Sequence, residues 1–133
     1  MKTKLAVFAV GLFAAAVPML AHHSFSAEFD NSKPVKLQGT VTKIDWLNPH
    51  IWIYLDVKDA QTGQVASWQC EGGPPNTLTR NGWTKDAIKK GDTVSITGTH
   101  AKDASNTCNA SSIILPDGRH VFAGSSNPDA QKQ

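Results

Sequence analysis

The 133-residue chain has 13 basic and 11 acidic residues, 40% hydrophobic residues and two cysteines, a composition typical of a small globular protein. Its formal net charge of +2 comes from Lys2 and Lys4, because the rest of the chain has as many acidic as basic residues. A nucleic-acid-binding protein needs clustered positive charge to displace counterions from phosphates. We therefore predict no nucleic-acid partner.

The N-terminus has the pattern of a signal peptide. The two lysines precede the apolar run Leu5–Val17, and Pro18 ends this run before Ala21. The run fits the ~7–15 residues of a signal-peptide core and is shorter than the roughly 18 apolar residues of a membrane anchor. We expect a Sec-type signal, a periplasmic or secreted protein and no stable membrane insertion after cleavage.

Two cleavage sites are compatible with this leader. Cleavage after Ala21 is the main prediction, although Met19 is large for the −3 position, and cleavage after Ala16 fits the small-residue rule better. The remaining chain is long enough for one domain and too short for two. The predicted division is a signal peptide (1–21), an N-terminal extension (22–34), a barrel domain (35–124) and a flexible tail (125–133).

Two long strands joined by a turn at Asn48, Pro49 and His50 dominate the remaining sequence. In the second strand, apolar and other residues alternate, which is typical of a strand with one face in a core. The predicted inward residues are Ile51, Ile53, Leu55 and Val57, and the outward residues are Trp52, Tyr54 and Asp56. In the first strand, 35–46, the inward positions change parity between Val41 and Ile44, which predicts a β-bulge near Lys43.

Turn-forming residues divide the rest of the chain into shorter elements. Leu78, Trp83, Ala87 and Ile88 are the predicted buried side of two short helices. The predicted elements are a third strand (65–71), a helix capped by Asn76 or Thr77 and ending at Gly82, a helix from Thr84 to Gly91, and strands at 92–99, 110–115 and 120–122.

Three strands, a helical insert and two or three further strands is the order of an OB-fold, a small Greek-key barrel. The predicted fold class is therefore mainly β, an OB-fold-like barrel of five to six strands, and a six-stranded sandwich is the alternative. Cys70 and Cys108 lie on or beside strands three and five, which are neighbours in an OB-fold. In an exported protein this placement predicts a disulfide, with two separate buried thiols as the alternative.

The sequence resembles a family of small exported bacterial proteins classed only as a domain of unknown function. The resemblance covers nearly all of the mature chain and implies a periplasmic OB-like barrel without an established activity. Cys70, Cys108 and Met19 depart from the family pattern. The matching segments are HHSFSAEFD (22–30), GTVTKIDWLNPHIWIYLDVKD (39–59) with its WLNPH motif, RNGWTKDAIKKGD (80–92), TGTHAKDASN (97–106) and part of PDGRHVFAGSS (116–126).

The mature N-terminus is a candidate copper site. Cleavage after Ala21 gives His22 a free amino group beside its imidazole, and two such nitrogens can chelate Cu(II) or Ni(II). A third nitrogen is available from His23, His50 or His100. Weak binding of metal by a histidine pair without a biological role is the alternative. Because His50 equally fits a role in fixing the turn by a hydrogen bond, its role as a ligand stays open.

Aromatic residues near the turn form a second candidate site, for a small molecule, a glycan or an envelope protein. OB-fold strands bind bases and sugars on aromatic faces, but the same residues can simply pack against other parts of the protein. The candidate ligand-binding residues are Trp46, Asn48, Trp52, Tyr54 and Trp68. No G-x-S-x-G elbow or other catalytic pattern is present, so a binding protein is predicted rather than an enzyme.

Overall fold

The strands follow the alternating patterns of the sequence. The computed structural model describes residues 25–124. The predicted bounds of the third and sixth strands are confirmed, whereas the first strand begins at Phe29 instead of Val35 because Phe29 pairs with Ala101. In chain order the elements are α1 (Phe25–Glu28), β1 (Phe29–Asp45), β2 (Trp52–Lys58), β3 (Val65–Glu71), α2 (Pro75–Arg80), β4 (Thr93–Ala101), β5 (Thr107–Ile114) and β6 (His120–Phe122).

The six strands of the described region form one sheet in the order β3-β2-β1-β4-β5-β6, and neighbouring strands in this order run antiparallel. A further, parallel pairing between β3 and β5 closes the sheet into a barrel. The short helix α2 lies between β3 and β4 in the chain. The prediction of a mainly β, OB-fold-like barrel is therefore confirmed, and the sandwich alternative is wrong.

The bulge in β1 joins two halves of the strand that face the core with different parity. The register of β1 against β2 shifts between Val41 and Lys43, as predicted. Before the bulge, Leu37 and Val41 are buried, and after it Ile44 packs against the core. The predicted inward residues Ile51, just before β2, and Ile53 and Leu55 in β2 are fully buried, while Val57 is half-buried.

The connection between β3 and β4 contains one of the two predicted helices. It begins at Pro75, a favoured first helical residue, and Pro74 rather than Asn76 or Thr77 is its N-cap. The second predicted helix is wrong: residues 84–91 form turns. Burial of Trp83 and Ile88 in the core fixes the conformation of this segment. None of the helices described between residues 25 and 124 could span a membrane.

The predicted disulfide between Cys70 and Cys108 is present. The two residues are register partners in the parallel β3–β5 pair, their Cα atoms are 4.5 Å apart and both are fully buried. The bond therefore crosslinks the pairing that closes the barrel.

Candidate functional site

The N-terminal segment is fixed against the turn that follows β4. The Phe25 and Phe29 rings stack with centroids 5.4 Å apart. The Lys102 backbone N–H donates to Glu28 O at 2.8 Å, and the Lys102 ammonium donates to Ser26 O. His22 and His23, the predicted terminal ligands, lie outside the described residues. The chain that leads to them therefore enters the described region at a defined place on the barrel.

Beside this segment, one aromatic and two polar residues share the outer face of β2, β3 and β5. Trp52 is the register partner of Glu71, and Glu71 is the partner of Asn109 in β5. Since side chains alternate along a strand, these residues face away from the buried Cys70 and Cys108. A cleft of about 520 Å³, lined in part by Glu28, Phe29, Trp52, Gln69 and Thr107, separates the segment from this face.

A histidine, a carboxylate and an amide form a hydrogen-bonded group here, which we call the Glu71 cluster: His50, Glu71 and Asn109. The His50 Nδ1–H donates to Glu71 Oε1, and the Asn109 side chain also hydrogen bonds to the Glu71 carboxylate. Glu71 is 8% exposed and Asn109 4%. Burial raises the pKa of Glu71; the charge of His50 opposes this rise and the charge of Glu28 adds to it.

His100 lies on the other face of the sheet. It is the register partner of Cys108, so its side chain and that of Glu71 point to opposite faces. Its ring is 5.4 Å from that of Trp68, and its buried Nε2 has no hydrogen-bond partner among the described residues. The structure therefore does not bring His100 together with His50.

The five predicted ligand-binding residues do not form one face. Trp52 and Tyr54 share the outer face of β2, whereas Trp68 packs against the core. The ring of Trp46 is 6.1 Å from that of the buried Trp83, and Asn48 is exposed in the turn. The parity change at the bulge accounts for Trp46, which directly follows β1 and packs against the core as Ile44 does.

A metal site built from described residues alone is absent. Within residues 25–124, no group of three His, Cys, Asp or Glu side chains has an arrangement that could hold a metal ion. Sequence analysis assigned no role to Glu71 or Asn109. The available signal was position: each directly follows a cysteine of the predicted disulfide, so each must face away from the core.

Two solved structures illustrate the likeness of this chain to known proteins. The mitochondrial single-stranded DNA binding protein Rim1 of S. cerevisiae has a TM-score of 0.50 and 11% sequence identity to this chain. The match covers 65% of this chain and 93% of the Rim1 chain. This likeness concerns the fold alone. A complex of TiaS with a tRNA and ATP has a TM-score of 0.46 and 23% identity, over 65% of this chain and 19% of that one. No curated protein matches the chain.

The family comparison gives a direct result. Residues 9–110, which are most of the sequence, match the family described as "Family of unknown function (DUF6152)". The chain is a member of this family of unknown function, DUF6152.

Proposed function

We propose that this protein is an exported copper-binding protein that holds one Cu(II) ion where its N-terminal segment meets the barrel. The ligands are the amino group and imidazole of His22 and the imidazole of His50, with His23 as a further nitrogen donor. One observation supports this proposal above others: His50 is held by the buried Glu71 beside the segment that leads to His22.

The proposed site requires the short chain before Phe25 to bring His22 to His50. Phe25 is fixed by its stack on Phe29, and the charge of Glu28 acts on Glu71, so the segment lies close to the Glu71 cluster. The three Cα–Cα steps from Phe25 to His22 span at most about 11 Å. The proposed site requires the His50 ring to lie within this range of Phe25.

The donor set suits the metal. Cu(II) prefers nitrogen ligands in a tetragonal arrangement, and an α-amino group with a pKa near neutrality is available as a ligand. His100 is not included in the proposed set, because its side chain is on the opposite face of the sheet from Glu71.

In this proposal, cleavage of the signal peptide during export creates the free amino group of His22. The basic and apolar pattern of residues 1–21 and a disulfide in the barrel both fit a protein of an oxidising compartment. Intact mass of the exported protein tests this directly. A mass that corresponds to a chain beginning at His22 supports the site. A mass that corresponds to a chain beginning at Val17 removes the amino-terminal chelate.

Calorimetric titration of Cu(II) into protein that begins at His22 tests the ligand set. His22→Ala and His50→Ala are expected to weaken binding strongly, whereas His120→Ala, an exposed residue of β6, serves as the matched control. Affinity is expected to fall with pH because protons compete for the amine and the imidazoles. Equal affinity in all variants would mean that the binding is adventitious.

A second candidate function is supported by the cleft on the outer face. Trp52 lines it, and Gln69 and Thr107, joined by a 3.1 Å hydrogen bond, continue into a neighbouring cleft that includes Tyr54. Aromatic rings beside amide and hydroxyl groups suit a neutral, hydroxyl-rich ligand such as a glycan. A chitooligosaccharide that changes tryptophan fluorescence in the wild type but not in Trp52→Ala would favour this function.

Single-stranded DNA binding, the role in the name of Rim1, is not proposed. Residues 22–133 contain as many acidic as basic residues, and a DNA-binding OB-fold combines stacking with a positively charged groove.

A further inference from the structure

Glu71 is a buried carboxylate, and the groups that bond to it decide what it does. Leaving a carboxylate buried without partners is very unfavourable, so Glu71 needs its hydrogen bonds from His50 and Asn109. Glu71 and Asn109 are the two buried polar or charged residues of the described region. Their burial gives both side chains little freedom to move.

The bond from His50 fixes the chemistry of its ring. A neutral imidazole has one nitrogen that donates a hydrogen bond and one that carries a lone pair. With the proton on Nδ1 and directed at Glu71 Oε1, the lone pair of His50 is on Nε2. A free histidine side chain favours the opposite tautomer, so the carboxylate reverses the intrinsic preference.

The backbone around both residues is held in place. Ile51 N–H, next to His50, donates to Gly73 O at 3.2 Å, and Gly72 N–H donates to Ile51 O at 2.9 Å. Glu71 itself follows the crosslinked Cys70. The carboxylate is therefore a fixed acceptor, and the ring of His50 is oriented by it.

We infer that Glu71 is a positioning residue that selects the Nδ1–H tautomer of His50 and leaves Nε2 as the atom that binds a cation. Carboxylates that orient a metal-binding histidine in this way also raise its basicity. The identity of the cation as Cu(II) rests on the proposed function, whereas the tautomer is a property of the protein without metal.

Long-range ¹H–¹⁵N NMR of metal-free protein at pH 8.5 tests the tautomer. We expect His50 to be protonated on Nδ1 in the wild type, to revert toward the Nε2–H form in Glu71→Leu, and to be partly rescued in Glu71→Gln, which keeps a neutral acceptor. Glu28→Gln removes a nearby exposed charge without removing the acceptor and should leave the tautomer unchanged. An Nε2–H tautomer in the wild type would overturn the inference even if Glu71→Leu fails to fold.

Copper titration of the same variants separates the inference from the proposed function. Loss of such an orienting carboxylate typically costs about 10–100-fold in metal affinity, so Glu71→Leu should lose this much and Glu71→Gln less. Equal losses in Glu28→Gln and Glu71→Gln would indicate a general charge effect and overturn the positioning role. If wild type binds no copper, the proposed function fails, while an Nδ1–H tautomer that depends on Glu71 still supports the inference.

Discussion

Cys70 of β3 and Cys108 of β5 are joined across the pairing that closes the barrel, and each directly precedes a residue of the Glu71 cluster. The disulfide lies on the inner face, and Glu71 and Asn109 lie on the outer face of the same two strands. The crosslink thus joins the two strands whose pairing closes the barrel, and it holds Glu71 and Asn109 next to each other beside the His50 contact.

Removing the disulfide should weaken the fold without abolishing it. Replacing both Cys70 and Cys108 by alanine should lower the free energy of unfolding by about 2–4 kcal/mol, because the bond restricts a 38-residue separation in the unfolded chain. Urea denaturation measures this difference, with reduced wild type as the control. Equal unfolding free energies for oxidised and reduced wild type would contradict a stabilising role of the crosslink.

Trp83 links the β3–β4 connection to the barrel. It is 1% exposed, and its Nε1–H donates to Phe122 O at 2.8 Å. Trp83→Phe should lower the free energy of unfolding by about 1–3 kcal/mol, because the part-buried Phe122 carbonyl loses its donor. Trp52→Phe, at a half-buried position on the outer face, is the control and should cost less. Denaturation curves that coincide for Trp83→Phe and wild type would show that the hydrogen bond is unimportant.

Gly98 allows β4 to approach β5 closely. A Cβ atom at this position would lie 2.1 Å from Asn109 O, a backbone atom that cannot move without disturbing the Glu71 cluster. Gly98→Ala should therefore lower the free energy of unfolding by about 1–3 kcal/mol or more. Thr97→Ala, at the exposed neighbouring position, is the matched control in thermal unfolding. A Gly98→Ala protein with an unchanged melting temperature would argue against this strand packing.

Asp59, in the β2–β3 turn, contributes to the stability of the fold in a pH-dependent way. Hydrogen bonds from the backbone N–H groups of Thr62 and Gln61 lower the pKa of Asp59 below its usual 3.8. A lowered folded-state pKa gives stability that is present above the unfolded pKa and lost as pH falls through the folded pKa. Asp59→Asn should therefore be less stable than wild type at neutral pH, and the difference should shrink below about pH 3.8.

Melting temperatures measured between pH 2 and 7 test this prediction, with Asp86→Asn, an exposed aspartate elsewhere on the surface, as the control. A stability difference between Asp59→Asn and wild type that does not change over this range would contradict the role of the ionised carboxylate.

The strands could be predicted because local patterns determine them. Alternation in β2 and the parity change at Lys43 each appear within a few neighbouring residues. The second helix was predicted wrongly because its glycine and capping signals are also those of turns. Burial of Ile88 in the barrel core, a long-range effect, decides between the two.

The contact between His50 and Glu71 could not be predicted in the same way. It joins the β1–β2 turn to the end of β3, so it depends on how the turn folds as well as on the register between strands. Residues such as Trp46 and Trp68 look alike in the sequence, yet the structure separates them from the outer face that carries Trp52.

The most direct test of the proposed copper site compares two proteins that differ only at the terminus. One begins at His22, and the other has a methionine before His22, so both keep every imidazole but only the first has the His22 amino group. Calorimetry should give a Cu(II) affinity at least about tenfold lower for the extended protein, which is about 1.4 kcal/mol. Equal affinities would contradict a site built on the amino terminus of His22.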